Sequence, residues 1–141
     1  MAGVGPRDVV YDLGCGDGRI VIAAARQFGA RGVGIDLDPN LIRSAREAAA
    51  REGVSERVEF RVGNVLEADV SEASVVALYL SAASNVRLKP QLIRQLAPGS
   101  RIVAHNFGMG DWEPDAVETF RDGTGASRTI YRWTVDGRVK R

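Results

Sequence analysis

The sequence predicts an α/β fold: a doubly wound, mostly parallel sheet of seven strands with an antiparallel hairpin at its C-terminal end. Short apolar runs alternate with amphipathic segments along the first hundred residues, a pattern typical of strands joined by helical crossovers. Residues 74–80 are apolar at nearly every position, as in a strand covered on both faces. The last third holds two strand-like runs without a helix between them, which predicts antiparallel pairing.

The first half of the chain predicts three strands and two helices. The strands are predicted at residues 8–13, 31–35 and 57–62, and the first helix at residues 18–28. The second helix has a clear start, because Asp38 can cap its free N–H groups and Pro39 fits the first helical position. Gly53 ends this helix.

The second half predicts one more helix and the remaining strands. The strands are predicted at residues 74–80, 101–106, 117–121 and 128–135, and the helix at residues 85–96. Pro90 predicts a break or a fresh first turn in this helix. Residues 1–141 are predicted to form a single domain, since 141 residues suffice for one core but hardly for two.

Composition excludes several classes of protein. The net charge of +1 gives no reason to expect nucleic acid or an anionic membrane as a partner through bulk attraction. One cysteine excludes an intramolecular disulfide and a cysteine-rich metal site. No apolar run approaches the roughly 20 residues of a membrane span, and the N-terminus does not resemble a signal peptide. We therefore expect a cytoplasmic protein.

A glycine-rich loop follows the first predicted strand. Gly14, Gly16 and Gly18 occupy alternate positions, whereas a dinucleotide-binding loop has its third glycine one residue later. Asp17 stands in the turn, where a carboxylate would repel a pyrophosphate but suit an ammonium group. Asp17 could equally serve as a helix cap. The loop predicts a small-molecule site without phosphate groups.

A second acid belongs to the same predicted site. Asp36 ends the second strand, 22 residues after Gly14, and in a doubly wound sheet this position lies beside the first loop. A carboxylate there can accept hydrogen bonds from two ribose hydroxyls. Asp12 and Asp36 could also be ordinary polar residues at strand ends, but their spacing with the glycines favours ligand binding.

These motifs resemble those of class I S-adenosylmethionine-dependent methyltransferases, which have a Rossmann-like fold. Residues 12–19 resemble the first motif of that family and residues 34–39 the second. The resemblance implies S-adenosylmethionine as cofactor, a ligand with a ribose, an amino acid end and no phosphates. It also implies roles for individual residues: Asp12, Gly14, Gly16 and Asp17 around the methionine portion, Asp36 at the ribose, and Asn64, Val65 and Leu37 at the adenine. The family commonly has an acid where this chain has Asn64.

A narrower resemblance covers residues 78–114. This stretch is similar to small prokaryotic methyltransferases that are distantly similar to a eukaryotic family acting on lysines of mitochondrial membrane proteins. It implies a protein lysine or a small molecule as methyl acceptor. Residues 81–85 lack the Asn/Asp-Pro-Pro-aromatic motif of enzymes that methylate bases or glutamine, which disfavours those acceptors.

The candidates for catalysis are less defined. His105, the single histidine, ends the fifth predicted strand and could act as a general acid or base or simply be hydrogen-bonded in the sheet rim. Asn85 and Trp112 could contact the acceptor, and Tyr79 could line its pocket. Methyl transfer from a sulfonium is an in-line displacement that requires alignment of donor and acceptor and exclusion of water, but no metal.

Two alternatives to a methyltransferase stay open at this point. A nicotinamide-dependent oxidoreductase is disfavoured by the glycine spacing, by Asp17 and by the antiparallel tail. A non-catalytic binding module is compatible with the N-terminus, since the first strand begins near residue 8 and the helices that cover the cofactor in relatives are absent. We expect weak activity from this chain alone, either because it is a truncated form or because a partner chain or a large substrate completes an open site. The edge hairpin could pair with a second copy.

Overall fold

The computed structural model describes residues 3–121 and 123–135. The strands are β1 (Val9–Leu13), β2 (Arg31–Asp36), β3 (Val58–Val62), β4 (Val75–Leu78), β5 (Arg101–His105), β6 (Ala116–Arg121) and β7 (Ser127–Thr134). The helices are α1 (Arg19–Phe28), α2 (Pro39–Arg51) and α3 (Ala82–Gln95), and one 3-10 turn spans Val65–Glu67. No helix among these residues is long and apolar enough to cross a membrane.

All seven strands form one sheet in the order β3-β2-β1-β4-β5-β7-β6. The first five strands pair in parallel, while β7 pairs antiparallel with both β5 and β6. The predicted doubly wound sheet with its C-terminal hairpin is confirmed. The chain leaves β1 toward β2 on one side and returns to β4 on the other. This switch point opens a crevice at the carboxyl end of β1, where ligands bind in such sheets.

Two apolar cores lie on opposite faces of the sheet. On one face α1 and α2 bury Val21, Ile22 and Ile42 against strand residues such as Val10. On the other face Leu88 and Leu92 of α3 pack against Leu13 and Trp133, all fully buried. Side chains along a strand alternate between these faces, so the position of a residue in its strand decides which core or cavity it reaches.

The helix α3 differs from its prediction. It begins at Ala82, three residues early, because the Ser81 hydroxyl accepts a hydrogen bond from the Ser84 N–H at 3.1 Å and caps its start. Pro90 lies inside a continuous helix, so the predicted break is wrong. Proline removes one helical hydrogen bond, but the burial of Leu88 and Leu92 on either side holds the helix against the sheet.

The loop glycines give a matched pair for a stability test. A Cβ atom on Gly18 would lie 2.7 Å from the Phe60 ring and 2.9 Å from the Ala45 methyl, at a φ of +82°. Gly16 also has a positive φ, +56°, but nothing lies within 4 Å of its Cβ position. We expect Gly18→Ala to lower the free energy of unfolding by about 2–4 kcal/mol, and Gly16→Ala by about 1 kcal/mol, since only the first adds overpacking to backbone strain. Urea denaturation measures both, and equal losses would contradict the packing argument.

Candidate cofactor and acceptor site

The loop between β1 and α1 is anchored to the neighbouring strand. The backbone N–H groups of Gly14 and Cys15 donate to the Ile35 carbonyl at 2.9 and 3.1 Å. Gly14 has a φ of +83°, and a Cβ atom there would lie 2.5 Å from a terminal methyl of Leu80, so both the backbone conformation and the space favour glycine. Cys15 is buried beneath the loop, and burial raises the pKa of its thiol to about 12. The anchored loop leaves its open side at Gly16.

Asp36 joins the end of β2 to this loop. Its two carboxylate oxygens accept hydrogen bonds from the N–H groups of Gly16 and Asp38, both at 3.0 Å. Each carboxylate oxygen can accept a further bond, and the side chain is only partly buried. The carboxylate is therefore held in one orientation while it retains capacity for ligand hydroxyls.

Asp12 is the most unusual group in the site. It is 1% exposed, and neither carboxylate oxygen has a hydrogen-bond partner among the residues described. Burial, with a smaller contribution from the negative charge of Asp36, raises its pKa to about 7. A buried carboxylate without a partner is costly. Because Asp12 also lines the cavity above the loop, a cationic ligand group would relieve that cost.

Asp17 is engaged with the next arginine. Its carboxylate forms an ion pair with the Arg19 guanidinium at 2.9 Å, and this interaction lowers the pKa of Asp17. The N-cap residue of α1 is Gly18, and no side chain caps the helix, so Asp17 is not the cap. The sequence predicts that Asp17 faces a ligand ammonium group, but its negative charge is already paired with Arg19. The Asp12 carboxylate has no such partner among the described residues.

The residues predicted at the adenine lie at the rim. The side-chain oxygen of Asn64 accepts from the Leu66 N–H at 2.9 Å and caps the 3-10 turn. Val65 begins that turn, and the first N–H groups of a helical turn have no partner within it. Leu37 follows Asp36 with 69% of its side chain exposed. The Gly63 N–H donates to the Asp36 carbonyl at 2.9 Å, so this turn follows a strand end adjacent to Asp36, but none of Asp36, Leu37, Asn64 and Val65 lines the cavity that Asp12 lines.

Two cavities adjoin at this edge of the sheet. The first, about 390 Å³, is lined by the glycine loop, Asp12, Asp17, Arg19, Ile20, Leu41 and Tyr79. The second, about 330 Å³, runs along the α1 face of the sheet, from Tyr79 and His105 at the carboxyl ends of β4 and β5 to Val75 at the start of β4 and Phe28 at the end of α1. Its lining is mainly apolar and includes Ile20, Ala77, Val103, Ile130, Tyr79 and His105. Tyr79 and Ile20 line both cavities, so they form the boundary between them.

The sequence candidates separate into two groups. His105 and Tyr79 lie together at the second cavity. Asn85 is fully buried and donates to the carbonyl oxygens of Phe107 and Gly108 at 3.1 and 3.3 Å. Trp112 packs against the α3-side core, with its ring 6.0 Å from that of Trp133. The structure therefore uses Asn85 and Trp112 to hold the loop after β5 and does not bring them to the cavity of His105.

Sequence reasoning missed Arg19, Ile20 and Leu41 as cavity residues. Arg19 and Ile20 directly follow the last loop glycine, and that adjacency was a usable signal. Leu41 has the helical spacing of the apolar residues of α2, yet it is 37% exposed and lines the first cavity. Its helical spacing gave no indication of this, because the spacing is the same for core and cavity positions.

Known proteins resemble this chain over most of its length. A protein-lysine N-methyltransferase of Saccharolobus islandicus is 40% identical over 136 residues, which are 96% of this chain and 84% of that protein. A lysine N-methyltransferase of Homo sapiens, named for a subunit of ATP synthase, is 36% identical over 138 residues, and the match covers 57% of its length. The crystal structure of an RNA methyltransferase from Salinibacter ruber in complex with S-adenosyl-L-homocysteine has a TM-score of 0.90 and 52% identity, covering 99% of this chain and 88% of that one.

A family comparison agrees with these relatives. Residues 12–116, from the buried acid of β1 to the start of β6, match the model of the ANTKMT methyltransferase domain. Other solved structures with the same fold also carry S-adenosyl-L-homocysteine, the product that remains after S-adenosylmethionine gives up its methyl group. The nicotinamide alternative is thereby set aside. The chain belongs to the ANTKMT family of S-adenosylmethionine-dependent methyltransferases.

Proposed function

We propose that this methyltransferase acts on the side-chain amine of a lysine in a protein. The observation that carries the proposal is the mainly apolar cavity that adjoins the cofactor cavity across Tyr79 and Ile20. A lysine side chain has a four-carbon apolar stem and a charged tip. Its stem fits a cavity lined by Ala77, Val103 and Ile130, while its nitrogen reaches the boundary between the cavities. The relative named as a protein-lysine N-methyltransferase supports the same acceptor.

The cofactor contacts are part of the proposal. We assign the methionine ammonium to Asp12, whose buried oxygens lack partners among the described residues, and the ribose hydroxyls to Asp36. Asn64 and the N–H of Val65 face the adenine edge, and the exposed Leu37 side chain covers the ring. Gly14 and Gly16 leave room for the ligand against bare backbone. When bound, S-adenosylmethionine supplies a methyl group already activated by its sulfonium.

With an activated methyl group, the main tasks of the protein are alignment and exclusion of water. In this proposal Asp12 contacts the amino acid end of the donor and Asp36 its central ribose, and the Gly16 N–H holds the Asp36 carboxylate. The apolar lining of the second cavity offers water few hydrogen-bond partners on the acceptor side. An amine acceptor adds one requirement, because a lysine ammonium must lose a proton before it can attack.

RNA is the second candidate acceptor. It is favoured by one observation, the description of the 52% identical Salinibacter ruber structure as an RNA methyltransferase. RNA recognition depends strongly on cationic contacts to phosphates, and this chain has a net charge of only +1. The apolar cavity also offers more to an aliphatic stem than to a nucleotide. We therefore place protein lysine first.

The acceptor can be identified by labelling. Incubation of the protein and labelled S-adenosylmethionine with a cell extract should yield label that is removed by protease and resists ribonuclease. In a matched extract whose lysines have been blocked by reductive dimethylation, we expect the label to fall at least tenfold. Label that survives protease and lysine blocking but disappears with ribonuclease would assign RNA as acceptor. No labelled product from protein that binds S-adenosylhomocysteine tightly would favour the non-catalytic module.

The ribose assignment predicts a loss of affinity in Asp36→Asn. The amide keeps one acceptor oxygen and loses the other, and a hydrogen bond to a charged acceptor is worth about 1.5–3 kcal/mol, so we expect S-adenosylhomocysteine to bind about 10- to 150-fold more weakly by calorimetry. Asp17→Asn is the matched control, since Asp17 already pairs with Arg19 at an exposed site. Its effect should stay below about threefold. Similar losses in the two variants would remove the distinction between these acids.

The Asp12 assignment predicts a pH-dependent affinity. Burial and Asp36 raise the pKa of Asp12 to about 7, so below this pH the ligand-free protein holds a protonated acid that must lose its proton to pair with the ligand ammonium. The dissociation constant should therefore rise as pH falls below 7, approaching tenfold per pH unit, and binding near pH 7 should release a proton.

Calorimetry of S-adenosylhomocysteine binding in buffers of different ionisation enthalpy measures this proton release. The matched variant is Asp12→Asn, which keeps the shape of the side chain but cannot titrate. It should bind more weakly at pH 8 and show neither proton release nor the loss of affinity toward pH 6. A pH dependence that persists in this variant would place the titrating group elsewhere.

A further inference from the structure

We propose that His105 is the catalytic base that takes the proton from the acceptor amine, and that Tyr79 is a positioning residue that holds the imidazole in place by stacking. This inference rests on the proposed amine acceptor. It assigns a chemical step to the one histidine of the chain, which sequence reasoning could not separate from a structural rim residue.

The sheet brings the two side chains to the right place. In the pairing of β4 with β5, Leu78 lies opposite Ala104, so Tyr79, the residue after β4, lies beside His105, the last residue of β5. Leu78 and Ala104 face the α3 core. By strand alternation His105 faces the α1 side, where both rings line the apolar cavity. Tyr79 also borders the cofactor cavity, so the Tyr79 ring lies between the imidazole and that cavity.

The contact between the rings is a stack. Their centroids are 4.1 Å apart and their planes differ by 8°. The Tyr79 hydroxyl oxygen lies 3.2 Å from Nε2 of His105. Because the two rings are nearly parallel, the line joining these atoms is nearly perpendicular to the plane of the imidazole. The lone pair of an imidazole nitrogen lies in the plane of its ring. The phenol therefore supports the imidazole without occupying its basic nitrogen.

The surroundings keep the imidazole neutral. Burial, together with the positive charge of Arg128 on β7, lowers the pKa of His105. The other titratable neighbours are Tyr79 itself and, beyond its ring, Arg19 of α1, which is paired with Asp17. A general base must be unprotonated when its substrate arrives. At neutral pH His105 meets that condition.

The step balances in atoms and charge. The ammonium N–H bond breaks and the proton moves to the basic nitrogen of His105, which leaves a lone pair on the amine. That lone pair forms the new N–C bond to the methyl carbon as the C–S bond breaks. The electron pair of the broken bond stays on sulfur and S-adenosylhomocysteine leaves. The imidazolium then returns its proton to solvent.

Nuclear magnetic resonance tests the placement of His105 without any activity. His105 is the only histidine, so the imidazole C2–H resonance of tag-free protein reports a single pKa. We expect a value below the ordinary 6.5. Tyr79→Phe keeps the ring and should keep this pKa, whereas Tyr79→Leu exposes the imidazole and should raise it toward 6.5. An ordinary pKa in the wild type, or the same pKa in Tyr79→Leu, would overturn the stacking role.

Kinetics on a lysine acceptor test the base. His105→Asn and His105→Gln should each lower kcat about 100-fold, with S-adenosylhomocysteine affinity changed less than threefold as the check on folding. The wild-type kcat/KM, which reports groups of the free enzyme, should fall at acid pH with the pKa measured for His105. Tyr79→Leu should shift this fall in rate to higher pH, whereas Tyr79→Phe should keep the wild-type pH profile.

The two hypotheses fail in different ways. Lysine methylation by His105→Asn at the wild-type rate and with the same pH profile would overturn the base while leaving the acceptor assignment intact. Protein that binds S-adenosylhomocysteine and methylates RNA but no lysine would overturn the acceptor assignment and the base together.

Discussion

The hydrogen bonds between the glycine loop and the end of β2 are the constraint on which the site depends. The Ile35 carbonyl accepts from Gly14 and Cys15, and the Asp36 carboxylate accepts from Gly16. These contacts join residues about 20 positions apart in the chain and hold the crevice at the strand switch point open on one side. They also fix the orientation of the Asp36 carboxylate, for which we propose a ribose contact.

The same arrangement contains a carboxylate, Asp12, that is buried at a cost in free energy. Asp12 is buried beneath the loop without a hydrogen-bond partner among the described residues, and Asp36 is close enough to raise its pKa further. The buried Asp12 carboxylate therefore destabilises the ligand-free protein, and a cation bound beside it would remove that cost. In the proposed assignment, S-adenosylmethionine would pair its ammonium group with Asp12 and its ribose with Asp36, whereas a dinucleotide carries no ammonium group for Asp12.

The two faces of the sheet decide where the candidate acceptor residues lie. His105 and Ala104 are neighbours in sequence but point to opposite faces, one to a mainly apolar cavity and the other to the α3 core. The loop after β5 then turns toward the α3 side, where Trp112 packs against the core and Asn85 holds the loop backbone. Residues that looked equivalent as acceptor contacts thus divide into a pair at the cavity and a pair that supports the loop.

The sequence by itself determined the alternation of strands and helices, the C-terminal hairpin, the glycine loop and the position of Asp36, because local patterning and a short spacing carry that information. It also predicted the start of α2, where the Asp38 side chain accepts from the Asn40 N–H. Only the tertiary structure decided that Pro90 continues a helix, that Asp17 pairs with Arg19, and that Tyr79 stacks on His105. These outcomes depend on rotamers, burial and the register of strands distant in sequence, and a linear pattern does not encode which neighbours they bring into contact.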